Sequence, residues 1–259
     1  MMSFFRSRRQ QPPTMTLEGV LGPNGRLDDA AGMKVEAPDA LCVAADGKLL
    51  VSSGSRVLAL GAWGGEAETW ATFDAPVTAL CHGADGLAAV GLAGGRLAVR
   101  DASGRPVDGW MLPEGRVASV VDCAFTSDGE LVLVDCGYGH GDNLLAQAAW
   151  DDEARGQLVS LHRSGETRAI ASGLHCPMGV CLDDEGGMLV PLLERASIVD
   201  ETGAVRQAGY PGYLGRLRRT PGGHALACLS RRDPLIEFLK TERAFVAAMK
   251  AKIEPRHWI

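Results

Sequence analysis

Residues 40–53 read "ALCVAADGKLLVSS". An apolar run enters, a small-residue Asp-Gly turn reverses it, and a second apolar run leaves, which is the signature of an antiparallel strand pair. The same phrase returns as "ALCHGADGLAAVGL" (79–92), "CAFTSDGELVLVD" (123–135), "VCLDDEGGMLVPLL" (180–193) and, more weakly, "LRRTPGGHALACLS" (217–230). The turn pairs begin at Asp46, Asp85, Asp128, Glu185 and Gly222, at spacings of 39, 43, 57 and 37 residues. The long interval holds an insertion at 137–155, "GYGHGDNLLAQAAWDDEAR".

Third strands follow in "RVLAL", "GRLAVRD", "GQLVSLH" and "ASIVD", and fourth strands in "ETWATF" and "TRAIAS". Four short strands in ~40 residues form one blade of a β-propeller, and blades bury their faces by stacking around a channel. A β-sandwich would not repeat its turn chemistry at a fixed period. The expected fold is therefore all-β: a propeller of five recognisable four-stranded repeats on a six-bladed template, its last blade incomplete. One C-terminal helix is expected over 241–253, "TERAFVAAMKAKI", with Thr241 as its N-cap. The segment 16–29 has room for a strand or hairpin but not a blade. Residues 1–14 are read as a disordered tail and 15–259 as one domain.

Composition narrows the partners. A net charge of −6 argues against a nucleic-acid backbone. No apolar run reaches the ~18 residues of a membrane span, and "MMSFFRSRRQQPPT" lacks the apolar core of a secretion signal. The seven cysteines lie mostly in apolar runs without metal-site spacing, so they are read as reduced, buried thiols of a cytoplasmic protein.

The first strand of a blade lines the channel, so residues just before it share the channel mouth with the loop after the second strand. Counting back seven from each turn pair gives Asp39, Thr78, Val121, Met178 and Gly215 as equivalent positions around that mouth. Asp122 and Arg216 lie one step further in. Neighbouring loops add Tyr138, His140, Asp142, Glu194 and Arg195.

At these positions the chain resembles the superfamily of senescence marker protein, gluconolactonases and strictosidine synthase. The resemblance rests on "SGLHCPMGVCLDDEGGMLV" (172–190), "GYPGYLGRLRRTPGG" (209–223) and "PLIEFLKTERAFVAAMKAKIEPRHWI" (234–259), whose tail is similar to that of some bacterial members. It implies a hydrolase of lactones or related esters, or strictosidine synthase-like chemistry. It also implies a divalent metal held by oxygen ligands at the mouth. The residues depart from that pattern. Met178 stands where the family places Asn, Gly215 where it places Asp, and Val121 at another Asn position. Only Asp39 keeps a carboxylate there. A thioether suits a hard cation such as calcium poorly. No resident metal or other cofactor is therefore expected, and the metal site is read as degenerate. The late Glu of the synthase-like members belongs to a sixth blade that this sequence is expected to lack.

Asp39, Asp122, His140 and Asp142 are the candidate catalytic residues. His140 and Asp142 have the types of a base and its orienter, and the competing reading is a solvated Gly-rich turn. Thr78, Met178, Glu194 and Arg216 are candidate ligand-binding residues, and a guanidinium there suits an anionic group. Asp39 could equally cap the channel. The expected partner is a small organic molecule. The alternative is a non-catalytic propeller whose open edge is completed by a second copy or another protein.

Overall fold

Asp-Gly and Glu-Gly turns set the architecture. In the computed structural model, which describes residues 28–183 and 185–258, Gly47, Gly86, Gly129 and Gly186 all take φ between 82° and 84°. That is left-handed backbone which only glycine enters without strain. Each of these glycines donates its N–H three residues back, as Gly47 does to the Ala44 carbonyl at 2.9 Å. One hairpin geometry is thus repeated four times.

The first sheet holds β1 (Leu41–Val43), β2 (Leu49–Ser53), β3 (Arg56–Leu60) and β4 (Ala67–Thr72) in consecutive order. The second holds β5 (Val77–His82), β6 (Ala88–Leu92) and β7 (Arg96–Arg100). The third holds β8 (Asp122–Phe125), β9 (Leu131–Asp135), β10 (Gly156–Leu161) and β11 (Thr167–Leu174), with helix α1 (Leu144–Trp150) inside the insertion. The fourth holds β12 (Cys181–Leu182), β13 (Met188–Leu192), β14 (Ser197–Asp200) and β15 (Val205–Ala208). The fifth is one hairpin, β16 (Gly212–Thr220) with β17 (Gly223–Arg231). Every pairing is antiparallel.

Apolar clusters lie between successive sheets. Leu50 and Val57 meet Leu80 and Val90 between the first and second. Ala79 and Ala89 meet Leu131 and Leu133 between the second and third. Val134 and Leu158 meet Val190 and Val199 between the third and fourth. Cys181 and Ile198 meet Leu214 and Leu217 between the fourth and fifth. Each fully buried Leu or Val contributes about 1.5–3 kcal/mol, so the sheets hold one another. Among the described residues no such cluster joins the fifth sheet to the first.

Three expectations need correction. The second sheet has three strands, because after β7 the chain makes only an isolated bridge, Arg100 to Pro106, and proline lacks the N–H for a ladder. The fifth has two, because Asp233 and Pro234 start a helix where a third strand would begin. Asp233 Oδ1 accepts the Leu235 N–H at 2.7 Å. The C-terminal part thus forms two helices, α2 (Pro234–Leu239) and α3 (Arg243–Lys252). Thr241 closes α2, its hydroxyl donating to the Phe238 carbonyl at 2.7 Å. The position before α3 falls to Glu242, whose side chain makes no capping bond. The tail expected at 1–14 and most of segment 16–29 lie outside the described residues. Among the described residues no helix is long and apolar enough to cross a membrane.

Both C-terminal helices lie at the channel mouth. Ile236, Leu239, Val246 and Met249 pack with Trp150 of α1 and with Cys136, Cys176, Leu193 and Tyr213. The insertion and the C-terminal helices therefore wall one side of the mouth.

Candidate functional site

The guanidinium of Arg216 reaches across the channel. Its Nη1 donates to the Asp39 carbonyl. Its Nη2 donates to the Thr78 and Val121 carbonyls, each at 2.7 Å, and to Asp39 Oδ1 at 3.2 Å. Its Nε donates to Val121 O at 3.2 Å. Asp39, Thr78 and Val121 are the positions that the repeat register places equivalently. Their carbonyl oxygens converge on one point because the first strands of three sheets begin there.

Backbone closeness makes this reach feasible. Gly179 lies against the Arg216 Cα and Asp122 Oδ2, 3.3 and 3.0 Å from where a Cβ would stand. A larger residue would press on Asp122 and on the Arg216 backbone, which would have to give by a few tenths of an ångström. Beneath Arg216, Asp122 is fully buried and bound by Arg218 in a two-pronged ion pair, with both bonds at 2.7 Å. Asp122 Oδ2 also accepts the Val180 N–H at 3.1 Å.

Above the guanidinium opens a cavity of about 210 Å³. Six of the eight candidate catalytic and ligand-binding residues line it: Asp39, Thr78, His140, Asp142, Met178 and Arg216. Two do not. Asp122 is spent on Arg218, and Glu194 lies to one side beneath the C-terminal helices. Glu194 Oε1 is 2.9 Å from Arg195 Nε and 3.6 Å from His175 Nδ1, yet it is buried without an aligned hydrogen bond. Burial raises its carboxyl from 4.5 to about 7, against the opposing pull of Arg195. Burial likewise lowers the His175 imidazole, helped by Arg195.

His140 and Asp142 are exposed on the loop before α1. The Asp142 carboxylate accepts the Gly139 N–H at 2.8 Å and Gln147 Nε2 at 3.4 Å, so it braces its own turn. Thr78 Oγ1 is committed to the Val120 carbonyl at 2.7 Å. Tyr138 also lines the cavity, and its hydroxyl donates to Asp151 at 3.2 Å.

Sequence reasoning missed Cys136 and Ser119, which also line this cavity. Ser119 Oγ lies 3.2 Å from Cys136 Sγ, and Cys176 is buried in the same cluster. The neighbouring Cys176 thiol first, and Ser119, lower the Cys136 thiol from 9.0 to about 7 against the opposing effect of burial. The neighbouring Cys136 first, and burial, push Cys176 well above 9.0. The only signal in the sequence was that Cys136 directly follows a second strand, where the chain returns to the mouth.

A hard divalent ion fits this donor set poorly. Such an ion takes about six to eight oxygens. Here the converging carbonyls are bonded to a guanidinium, Met178 offers sulfur, and Gly215 offers no side chain. Among the described residues no group of three or more His, Cys, Asp or Glu could hold a metal.

No protein-family model matches the chain, and no curated protein matches it. Solved structures do. A gluconolactonase of Xanthomonas campestris superposes with TM-score 0.58 at 17% identity, over 75% of this chain and 71% of its own. A calcium-binding regucalcin of Agrobacterium tumefaciens gives TM-score 0.56 at 13% identity, over 76% and 68%. An aldose sugar dehydrogenase of Streptomyces coelicolor, in its PQQ-bound form, gives 0.55 at 14% identity, over 76% of each chain. These three carry different chemistries on one scaffold, so what the likeness establishes is architecture. The chain shares the β-propeller fold of gluconolactonase- and regucalcin-type proteins.

Proposed function

We propose that the channel-mouth cavity binds a small, oxygen-rich molecule of the lactone or ester class, and that the Arg216 guanidinium stands where metal-dependent relatives hold a cation. One observation carries this reading: the guanidinium binds the carbonyl oxygens of Asp39, Thr78 and Val121 at the floor of the cavity that His140, Asp142 and Met178 also line. Nη1 spends a single bond, on the Asp39 carbonyl, which leaves its second N–H for a ligand oxygen. His140, exposed on the loop above, is the base that would take a proton from water as its oxygen adds to the lactone carbonyl carbon. The ring C–O bond then breaks, the ring oxygen takes up the proton, and a hydroxy acid leaves. The gluconolactonase among the structural neighbours supports the choice of ligand class.

The test is hydrolysis of a panel of sugar lactones with and without a chelator. Turnover is expected to survive chelation. It should fall about 100-fold or more in His140→Ala, the usual worth of a general base, and comparably in Arg216→Met. Calcium-restorable loss on chelation, or no turnover of any lactone, would overturn the reading.

A second reading has its own observation. Leu229 on β17, and Leu41 and Val43 on β1, are each at least half exposed, at 53%, 50% and 58%. Such strand edges pair readily with another chain. Under this reading a second copy or a partner completes the ring without catalysis. Light scattering during size-exclusion chromatography should then show a dimer that Leu229→Asp dissolves. A monomer at all concentrations, with no partner recovered, would count against it.

A further inference from the structure

Three sulfur-bearing side chains, Cys136, Cys176 and Met178, share one cluster at the wall of the cavity. The Cys176 thiol lies 3.9 Å from the Met178 thioether sulfur, and Cys136 is buried in the same packed cluster. Cys136 and Met178 both line the cavity, and all three residues belong to one packed cluster. Sulfurs bound to one trigonal ion at ~2.3 Å from each stand about 4 Å apart. The Cys176–Met178 separation already has that value.

The backbone holds this arrangement at a cost. Cys176 has φ 45°, the left-handed region, although it is not glycine and although Pro177 follows. Strain of this kind persists only where the surroundings enforce it. Here Leu193 N donates to the Cys176 carbonyl at 3.1 Å, and Met178 N donates to the Pro191 carbonyl at 2.9 Å. The strained turn sets the sulfurs two residues apart side by side, and the loop after β9 brings Cys136 to them.

We propose that Cys136, Cys176 and Met178 form a binding site for one soft monovalent cation, copper(I). Two thiolates and a thioether are the donors such an ion selects, and hard cations discriminate against them. Binding releases two protons, one from each thiol, and leaves a complex of net charge −1. Arg216, on the same cavity, supplies the nearby positive charge. The ion enters through the cavity, because Cys136 and Met178 form part of its wall. This site is independent of the lactone reading and is tested without any organic ligand.

The full chain is titrated without oxygen against copper(I) held by bicinchoninate, whose colour reports the copper withdrawn. One equivalent is expected to transfer. Cys136→Ser and Cys176→Ser should each weaken binding by about 100-fold, and Met178→Leu by roughly tenfold. Met178→Leu keeps the apolar volume, so it reads the site even if a cysteine variant fails to fold. Cys228→Ser, at an exposed cysteine on β17, should change nothing. X-ray absorption should show three sulfurs at about 2.3 Å. Failure to withdraw copper, binding that Cys228→Ser abolishes, a nitrogen or oxygen shell, or tighter binding of zinc would each overturn the proposal.

Discussion

Asp122 illustrates what a single buried charge demands. Its carboxylate has no exposed surface and relies on Arg218 and the Val180 N–H. Removing one partner of such a pair leaves an uncompensated charge. Arg218→Ala is expected to cost about 3 kcal/mol in urea unfolding, the low end of the usual range because Arg218 itself is part-exposed. Asp122→Asn in that background should recover part of the loss. Glu194 gives a pH signature. Its folded carboxyl titrates near 7 and its unfolded one near 4.5. The native state therefore holds a proton that the unfolded chain has lost. Its favourable contribution is complete below pH 4.5 and disappears as pH rises through 7. Glu194→Gln should melt higher than the parent at pH 8.5 and show no such advantage at pH 4.5, by calorimetry. The turn register put Asp39, Thr78 and Val121 at one mouth, since backbone period alone decides that. It did not show that Arg218 spends Asp122, or that Cys136 meets Cys176. Those contacts depend on side-chain direction across 96 and 40 residues.

At the scale of elements, hairpin turns were legible because Asp-Gly chemistry is local. The ends of the second and fifth sheets were not, because there a proline decides against a strand that the repeat still suggests. Helix α1 starts at the cavity, which its Leu144 helps to line. Asn143 caps it, its side-chain oxygen accepting the Ala146 N–H at 3.2 Å. Asn143→Ala should lower stability by about 1 kcal/mol. Because the cap adjoins Asp142, amide exchange across 139–146 should speed up more than exchange in β9. Equal acceleration in both would mean that the loop and the sheet open as one unit.

Across the whole molecule, the sheets stack as a line of four interfaces, and Arg216 ties the line's late part to its early parts. Its bonds span 177 residues to Asp39, 138 to Thr78 and 95 to Val121. Contacts so distant in sequence form late, after local hairpins. Arg216→Met should therefore speed unfolding about tenfold or more while leaving the folding rate nearly unchanged, as stopped-flow fluorescence can measure. The same side chain imposes an order on birth. At ~5–20 residues per second, a ribosome adds the 95 residues between Val121 and Arg216 in roughly 5–20 s. For that interval the three carbonyls of the mouth stand finished and wait in water for a cation the chain has not yet made.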